Sequence, residues 1–255
     1  MKTTFPQLLL KHAAERPTDP AVREKEYGIW QTWTWKDAAQ TVQQLACGLL
    51  ALGFRRGQNL ALIGDNRPHL YMSMVAVQSV GGVPIPLYQD AVATEMTFVI
   101  EDAEVQFFFA ENQEQVDKLL EVRESVPSVT HIIYDDPRGL RNYEQPGLIS
   151  TEKLMALGAE WDRAHPGAWK AEVERNRPED VSVILYTSGT TGKPKGVCQT
   201  HSAFIASAQG GVEVDRLVPT DNIISYLPSA WVGDHLFSVA QWLVAGFTIN
   251  CPESA

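Results

Sequence analysis

The twelve residues Tyr186–Val197, YTSGTTGKPKGV, hold four Ser or Thr side chains, three glycines and two lysines. That mixture suits neither a helix nor a strand, yet it follows directly on the apolar run VSVIL (181–185). A loop of this kind after a buried strand is a candidate phosphate cradle. Glycines let backbone N–H groups approach a ligand closely, and hydroxyl and ammonium groups complete the grip. Spacing excludes two better-known phosphate motifs. A Walker A loop needs Gly five residues before the Gly-Lys pair, whereas position 187 is Thr and Lys193 is followed by Pro194. A dinucleotide fingerprint contains G-x-G, and no two glycines of this chain have that spacing. Pro194 and Gly196 disfavour an immediate helix start, and Val197–Gln199 reads as extended. The loop is therefore expected to join two strand-like segments, holding phosphate by amides, hydroxyls and lysine charge more than by a helix dipole.

No Asp or Glu occurs from Val181 to Val212, although 31 acids in 255 residues would place about four in a stretch of that length. Carboxylates have been cleared from around Lys193 and Lys195, where repulsion over about 10 Å would oppose a polyphosphate. The alternative, a solvent-exposed turn with incidental lysines, leaves Gly-Thr-Thr-Gly unexplained.

The surrounding pattern supplies the elements. TWTWKDAAQTVQQLACGLLALG opens with Thr34 and Asp37 in a capping box, runs Ala38, Val42, Leu45 and Leu49 at helical spacing, and stops at Gly53. NLALIG (59–64) reads as a strand, and Asn66 and Pro68 open a helix through Val80. VPIPLY reads as an edge or irregular strand because of its prolines. TEMTFVIEDA (helix), VQFFFA (strand), NQEQVDKLLEVRESV (helix) and THIIYD (strand) follow. Residues 136–178, with prolines at 137, 146, 166 and 178, read as a peripheral excursion. Then come strand VSVILYT, helix HSAFIASAQGG, strand NIISYLP, helix HLFSVAQWLVAG and strand FTINC. Strands alternating with helices imply an α/β fold with mostly parallel, helix-covered sheets.

Composition narrows the function. With 44% hydrophobic residues a sizeable core is available, and a net charge of −10 argues against nucleic-acid binding or a general affinity for anionic membranes. Cys47, Cys198 and Cys251 lack metal-like spacing, lie in apolar surroundings and read as buried small hydrophobes in a reducing compartment. Neither a signal-peptide core nor an apolar run of about 18 residues is present, so a cytoplasmic chain without a membrane span is expected, with peripheral membrane contact left open.

LYTSGTTGKPKGV (185–197) resembles the signature loop of the adenylate-forming superfamily, which includes acyl-CoA synthetases, aryl-CoA ligases, peptide-synthetase adenylation domains and luciferases. GDNRPHLYMSMVAVQSVGGVPIPLY (64–88) and YLPSAW (226–231) are similar to segments of the same family in the same order. GIWQTWTW (28–35) and Pro86–Tyr88 look most like the long-chain fatty acyl-CoA synthetase branch. The resemblance implies two half-reactions. A fatty acid carboxylate attacks the α-phosphorus of ATP to give acyl-adenylate and pyrophosphate, and the thiol of coenzyme A then displaces AMP. It implies that Thr187, Ser188, Thr190 and Thr191, with the amides of Gly189 and Gly192, donate to the β- and γ-phosphates. Lys195 stands at the family's Pro-Lys-Gly lysine and is the charge partner, Lys193 stands where the motif varies, and Thr187 matches a position that helps hold Mg²⁺. Trp231 matches an aromatic position between the α-phosphate and the carboxylate; its indole can donate and wall the site but cannot take a proton. The plainer reading of Trp231 is a core aromatic beside a strand end. For Asp234 and His235 a helix N-cap and a first-turn side chain suffice, and His201 reads as structural at the start of its helix. Residues 222–252, acidic only at Asp234, read as ordinary buried structure or as one wall of an acyl tunnel.

The resemblance further implies two stacked α/β subdomains, 56–212 bearing the phosphate loop and 1–55 with 213–255 forming an incomplete second, with the ligand cleft between them. Later family segments for ribose, adenine and a mobile C-terminal domain carrying the adenylation lysine are not in the chain. The expectation is an N-terminal part, inactive alone, with an exposed apolar face prone to association or homo-oligomerisation. The other readings carried forward are an adenylate-former for an aryl or amino acid and a non-catalytic nucleotide-binding or interaction module.

Overall fold

The computed structural model describes residues 2–187 and 194–253. Helix α1 (Phe5–Glu15) leads into a hairpin, β1 (Pro20–Glu26) and β2 (Ile29–Thr34), and then α2 (Trp35–Ala51). The capping box expected at α2 is present: Thr34 Oγ1 accepts from the Asp37 amide at 3.2 Å and Asp37 accepts from the Thr34 amide at 3.0 Å. Next come β3 (Asn59–Ile63), α3 (Pro68–Ser79), β4 (Val83–Leu87), α4 (Ala93–Asp102), β5 (Val105–Ala110), α5 (Gln113–Val122) and β6 (His131–Tyr134). They are followed by β7 (Leu148–Ser150), α6 (Thr151–Ala164), α7 (Ala168–Arg175), β8 (Val181–Thr187), β9 (Lys195–Thr200), α8 (His201–Asp215) and β10 (Asn222–Ile224). The described chain closes with α9 (Val232–Asp234), a π-helical stretch (His235–Ala240), α10 (Gln241–Ala245) and β11 (Thr248–Cys251).

Strands β4-β3-β5-β6-β7 form a parallel sheet. Its continuous apolar runs are the mark of a sheet covered on both faces. Leu60, Leu62, Phe107 and Phe109 enter a large core with α2 and α3, while Ala61, Ile63, Phe108 and Ala110 enter a smaller one with α4 and α5. Strand β4 with its two prolines lies at the sheet edge, as its sequence requires. A second sheet, β10-β11-β1-β2, joins the N-terminal hairpin to the last strands: β1 runs parallel to β11 and antiparallel to β2. No described helix is long and apolar enough to cross a membrane.

Three segments depart from their sequence reading. Residues 136–178 are not peripheral: β7 extends the parallel sheet, and α6 packs along α2. Prolines there delimit elements instead of excluding them, and glycines bring the two helices together. A Cβ on Gly158 would collide with the Gln44 carbonyl, and one on Gly48 with that of Leu154. NIISYLP keeps strand pairing only over Asn222–Ile224. HLFSVAQWLVAG starts earlier than expected and is π-helical over its first six residues. His201 is structural, as expected: it is buried, and its Nδ1 accepts from the Phe5 amide at 3.3 Å. His235 lies between the rings of Phe5 and Phe204, with neither ring nitrogen hydrogen-bonded among the described residues.

The paired glycines and histidines give two expectations. Gly158→Ala should lower stability by about 1–3 kcal/mol, because backbone cannot yield to the new methyl. Gly210→Ala, with nothing within 4 Å of its Cβ, should be neutral or gain up to about 1 kcal/mol; urea unfolding of the two variants checks both. Burial depresses His201 to about 4 and His235, beside it, to about 3. The folded state thus favours neutral imidazoles, and their contribution is complete above about 6.5 and lost as pH falls toward 4. The urea midpoint of His235→Leu should fall less steeply than wild type between pH 6.5 and 4.

Candidate functional site

Strands β8 and β9 pair antiparallel with Thr187 opposite Lys195, so both stand at the mouth of the hairpin and both are exposed. Ser188, Gly189, Thr190, Thr191, Gly192 and Lys193 lie outside the described residues. The hairpin is seated from two sides. Val183 and Leu185 enter the large core, and Ile184 and Tyr186 face the smaller one. The Tyr186 hydroxyl donates to Asp102 Oδ2 at 2.6 Å. A Cβ on Gly196 would lie 2.9 Å from Ile184 Cγ2 and 3.1 Å from the Tyr186 ring, so both side chains would have to give way. On the same strand Cys198 is exposed, contrary to its reading as a buried hydrophobe, because its face of β9 is uncovered; Cys47 and Cys251 are buried.

A cavity of about 610 Å³ opens at this mouth, bordered by Thr187, Pro194, Tyr88, Met96, Phe98 and Ala230. A second, of about 310 Å³, is bordered by Tyr88, Asn66, Arg67, Ser229, Trp231 and Glu253. Tyr88 borders both, and the neighbours Ala230 and Trp231 border one each. Trp231 is 49% exposed, which removes the core-aromatic reading. It is a cavity wall within a turn in which its amide donates to the Pro228 carbonyl at 2.9 Å.

Asp234 is not the helix cap that its position suggests. It is fully buried, and at the start of the π-helical stretch, where it holds the cap position, its side chain makes no cap bond. Its carboxylate accepts from the Ser238 hydroxyl at 2.8 Å and from the Tyr71 hydroxyl at 3.0 and 3.1 Å. Tyr71 also contacts the Ser225 hydroxyl, which accepts from Asn66 Nδ2 at 2.8 Å. Asn66 Nδ2 donates in addition to the Leu227 carbonyl at 2.9 Å. Burial lifts Asp234 to about 6, with the hydrogen bonds from Ser238 and Tyr71 pulling the other way. Sequence reading missed Asn66, Tyr71 and Ser225, which are scattered in the chain; only the lone acid of residues 222–252 signalled the network.

Beside Asn66, the Arg67 guanidinium donates to the carbonyls of Pro252 (3.2 Å) and Glu253 (3.3 Å) and pairs with Glu111 (3.3 Å) and Glu24 (3.5 Å). Glu253 in turn accepts from the amides of Tyr27 (2.8 Å) and Gly28 (3.2 Å). No group of three or more His, Cys, Asp or Glu among the described residues could cage a metal. Mg²⁺ carried by nucleotide phosphates needs only one or two protein oxygens and water. The Thr187 hydroxyl on the larger cavity fits that demand, and Glu95 on the same lining adds a carboxylate.

Similarity to known proteins agrees in extent with the fold. The chain is 26% identical over 246 residues to the long-chain-fatty-acid–CoA ligase FadD15 of Mycobacterium tuberculosis, covering 94% of this chain and 39% of that protein. It is 32% identical over 232 residues to the peroxisomal long chain acyl-CoA synthetase 7 of Arabidopsis thaliana, covering 86% of this chain and 31% of that protein. The chain thus spans well under half the length of these relatives. Among solved structures it matches acetoacetyl-CoA synthetase from Streptomyces lividans with a TM-score of 0.81 and 24% identity, over 98% of this chain and 39% of that one. It matches the inhibitor-bound N-terminal domain of FACL13 from Mycobacterium tuberculosis with a TM-score of 0.79 and 21% identity, over 100% and 58%. The sequence pattern of the AMP-binding enzyme family extends over residues 9–255, and the chain belongs to that family.

Proposed function

We propose that this chain is the N-terminal part of an ATP-dependent, AMP-forming long-chain fatty acid–CoA ligase, organised as the unit 56–212 and the unit of 1–55 with 213–255 around a shared cleft. One observation carries the reading: the two ends of the glycine-threonine loop, Thr187 and Pro194, border the same cavity as Ala230 of the distant YLPSAW segment. The loop's two ends and the remote YLPSAW segment thereby border common space, and Tyr88 joins it to the cavity that Trp231 borders, an arrangement suited to joining a nucleotide to a second substrate. The long-chain fatty acid is inferred from relatives that carry this activity at 26% and 32% identity.

In this reading a fatty acid carboxylate oxygen bonds to the α-phosphorus of ATP as the bond to pyrophosphate breaks. The thiol of coenzyme A, losing its proton, then displaces AMP from the acyl carbon. Both reactants of the first step are anions, so the residues' task is to hold them and neutralise charge. Thr187, Ser188, Thr190 and Thr191, with the amides of Gly189 and Gly192, hold the terminal phosphates, and Lys195 supplies positive charge. Lys193 adds to the local field. Mg²⁺, when bound with ATP beside Thr187, neutralises phosphate charge. Trp231 walls the reacting pair with its indole N–H available as a donor, and it moves no proton.

ATP–pyrophosphate exchange by the full-length ligase tests this. Exchange should be stimulated by long-chain fatty acids and not by aryl or amino acids, and Lys195→Ala should lower kcat/KM for ATP by about 10²-fold. Stimulation by an aryl or amino acid alone would reassign the substrate, and a Lys195→Ala enzyme with unchanged kinetics would remove the loop from the reaction.

A further inference from the structure

With Asp234 ionised, the donors around it have one arrangement that leaves no contact unmade. The carboxylate can only accept, so Tyr71 gives its single proton to Asp234, which also receives the Ser238 proton. Ser225 then donates to the Tyr71 oxygen while accepting from Asn66 Nδ2, which also lies 3.4 Å from Asp234 Oδ1. The series ends on a group that needs only to accept, an ionised carboxylate. No lysine or arginine contacts that carboxylate among the described residues; hydroxyls and an amide surround it. Such a charge is costly to bury and is a poor device for stability alone. Its other end, Asn66, holds the Ser225 hydroxyl and the Leu227 carbonyl, immediately before the turn that presents Trp231 to the cavity.

We propose that Asn66, Tyr71 and Asp234 are positioning residues: a one-way hydrogen-bond series running from the segment after β3, through Ser225, to the buried carboxylate fixes Ser225–Trp231 against the parallel sheet and so sets where Trp231 stands. None of the three acts on a substrate; each acts through the segment. The catalytic consequence rests on the ligase reading above, and the placement of the segment does not. In Asp234→Asn the buried charge is removed and one of the two acceptor oxygens becomes an amide donor, so Tyr71 and Ser238 compete for the oxygen that remains. The substitution changes almost no volume but weakens the anchor on which Tyr71 ends.

The full-length protein is used as wild type, Asn66→Ala, Asp234→Asn and Tyr71→Phe, the last preserving shape should the first two fold poorly. Amide hydrogen exchange read by mass spectrometry should show residues 225–232 exchanging about tenfold faster in the variants, while β3, β5 and β6 keep wild-type protection. ATP–pyrophosphate exchange should show kcat lowered roughly ten- to one-hundred-fold, the scale expected for a displaced reacting group, with KM for ATP within about twofold. Unchanged protection of 225–232 in the variants overturns the proposal. So does uniform loss of protection across the chain, or a rise in KM for ATP in step with the fall in kcat, each of which marks a merely structural role. If wild type lacks pyrophosphate exchange yet the local amide effect is present, the ligase reading fails and the positioning of the segment stands.

Discussion

The structure depends on a hairpin that belongs to neither larger sheet and whose first strand is packed into both cores. Alternation along β8 sends Val183 and Leu185 one way and Ile184 and Tyr186 the other, so neither a slip in register nor a rotation is tolerated without exposing one apolar pair. Thr187 and Lys195, directly opposite at the mouth, inherit that rigidity. The Tyr186–Asp102 bond ties the hairpin to α4.

Charge is distributed with the same economy. The chain is acidic overall, yet the stretch from Val181 to Val212 carries no carboxylate. Acids gather instead around Arg67, where Glu24, Asp65 and Glu111 all lie within 4.0 Å of its guanidinium. Burial holds Glu24 and Glu111 above the ordinary carboxylate range despite that neighbour. Asp65 and Arg67 of this cluster border the smaller cavity, while among the described residues Glu95 is the one acid on the lining of the larger cavity at the hairpin mouth.

Much of this was legible in the sequence. The apolar runs of β3, β5 and β6, the capping box at Thr34 and the prolines of β4 each report a local physical preference, and each element stands where its residues require. The excursion misread at 136–178 shows where local reading ends: α6 docks because Gly48 and Gly158 remove side chains from a helix contact, and a glycine inside a helix looks only like a weakness until its partner is seen. Asp234 was misread for a related reason. An acid ahead of an apolar helical run has the appearance of a cap, and only the return of Tyr71, 163 residues away in sequence, reveals a buried acceptor. Trp231 was readable as either wall or core because a sequence cannot say which side of a strand end faces space.

The segment Asn66–Arg67 shows how two adjacent side chains can register two remote stretches at once. Asn66 reaches forward to Ser225 and Leu227, and Arg67 reaches to Pro252 and Glu253, so both ends of the 222–253 region are fastened to the loop after a single strand. Glu253 passes the restraint on to the hairpin turn at Tyr27 and Gly28. The α/β arrangement makes this economical: parallel strands deliver their following loops to one end of the sheet, so residues after β3 meet whatever the second sheet presents there. Because an Asn amide and an Arg fork have fixed donor geometries, the two sheets are held in a defined relation by direction as well as by apolar contact. Hydrophobic attraction is non-directional, so these bonds supply the directional part of the contact between the sheets.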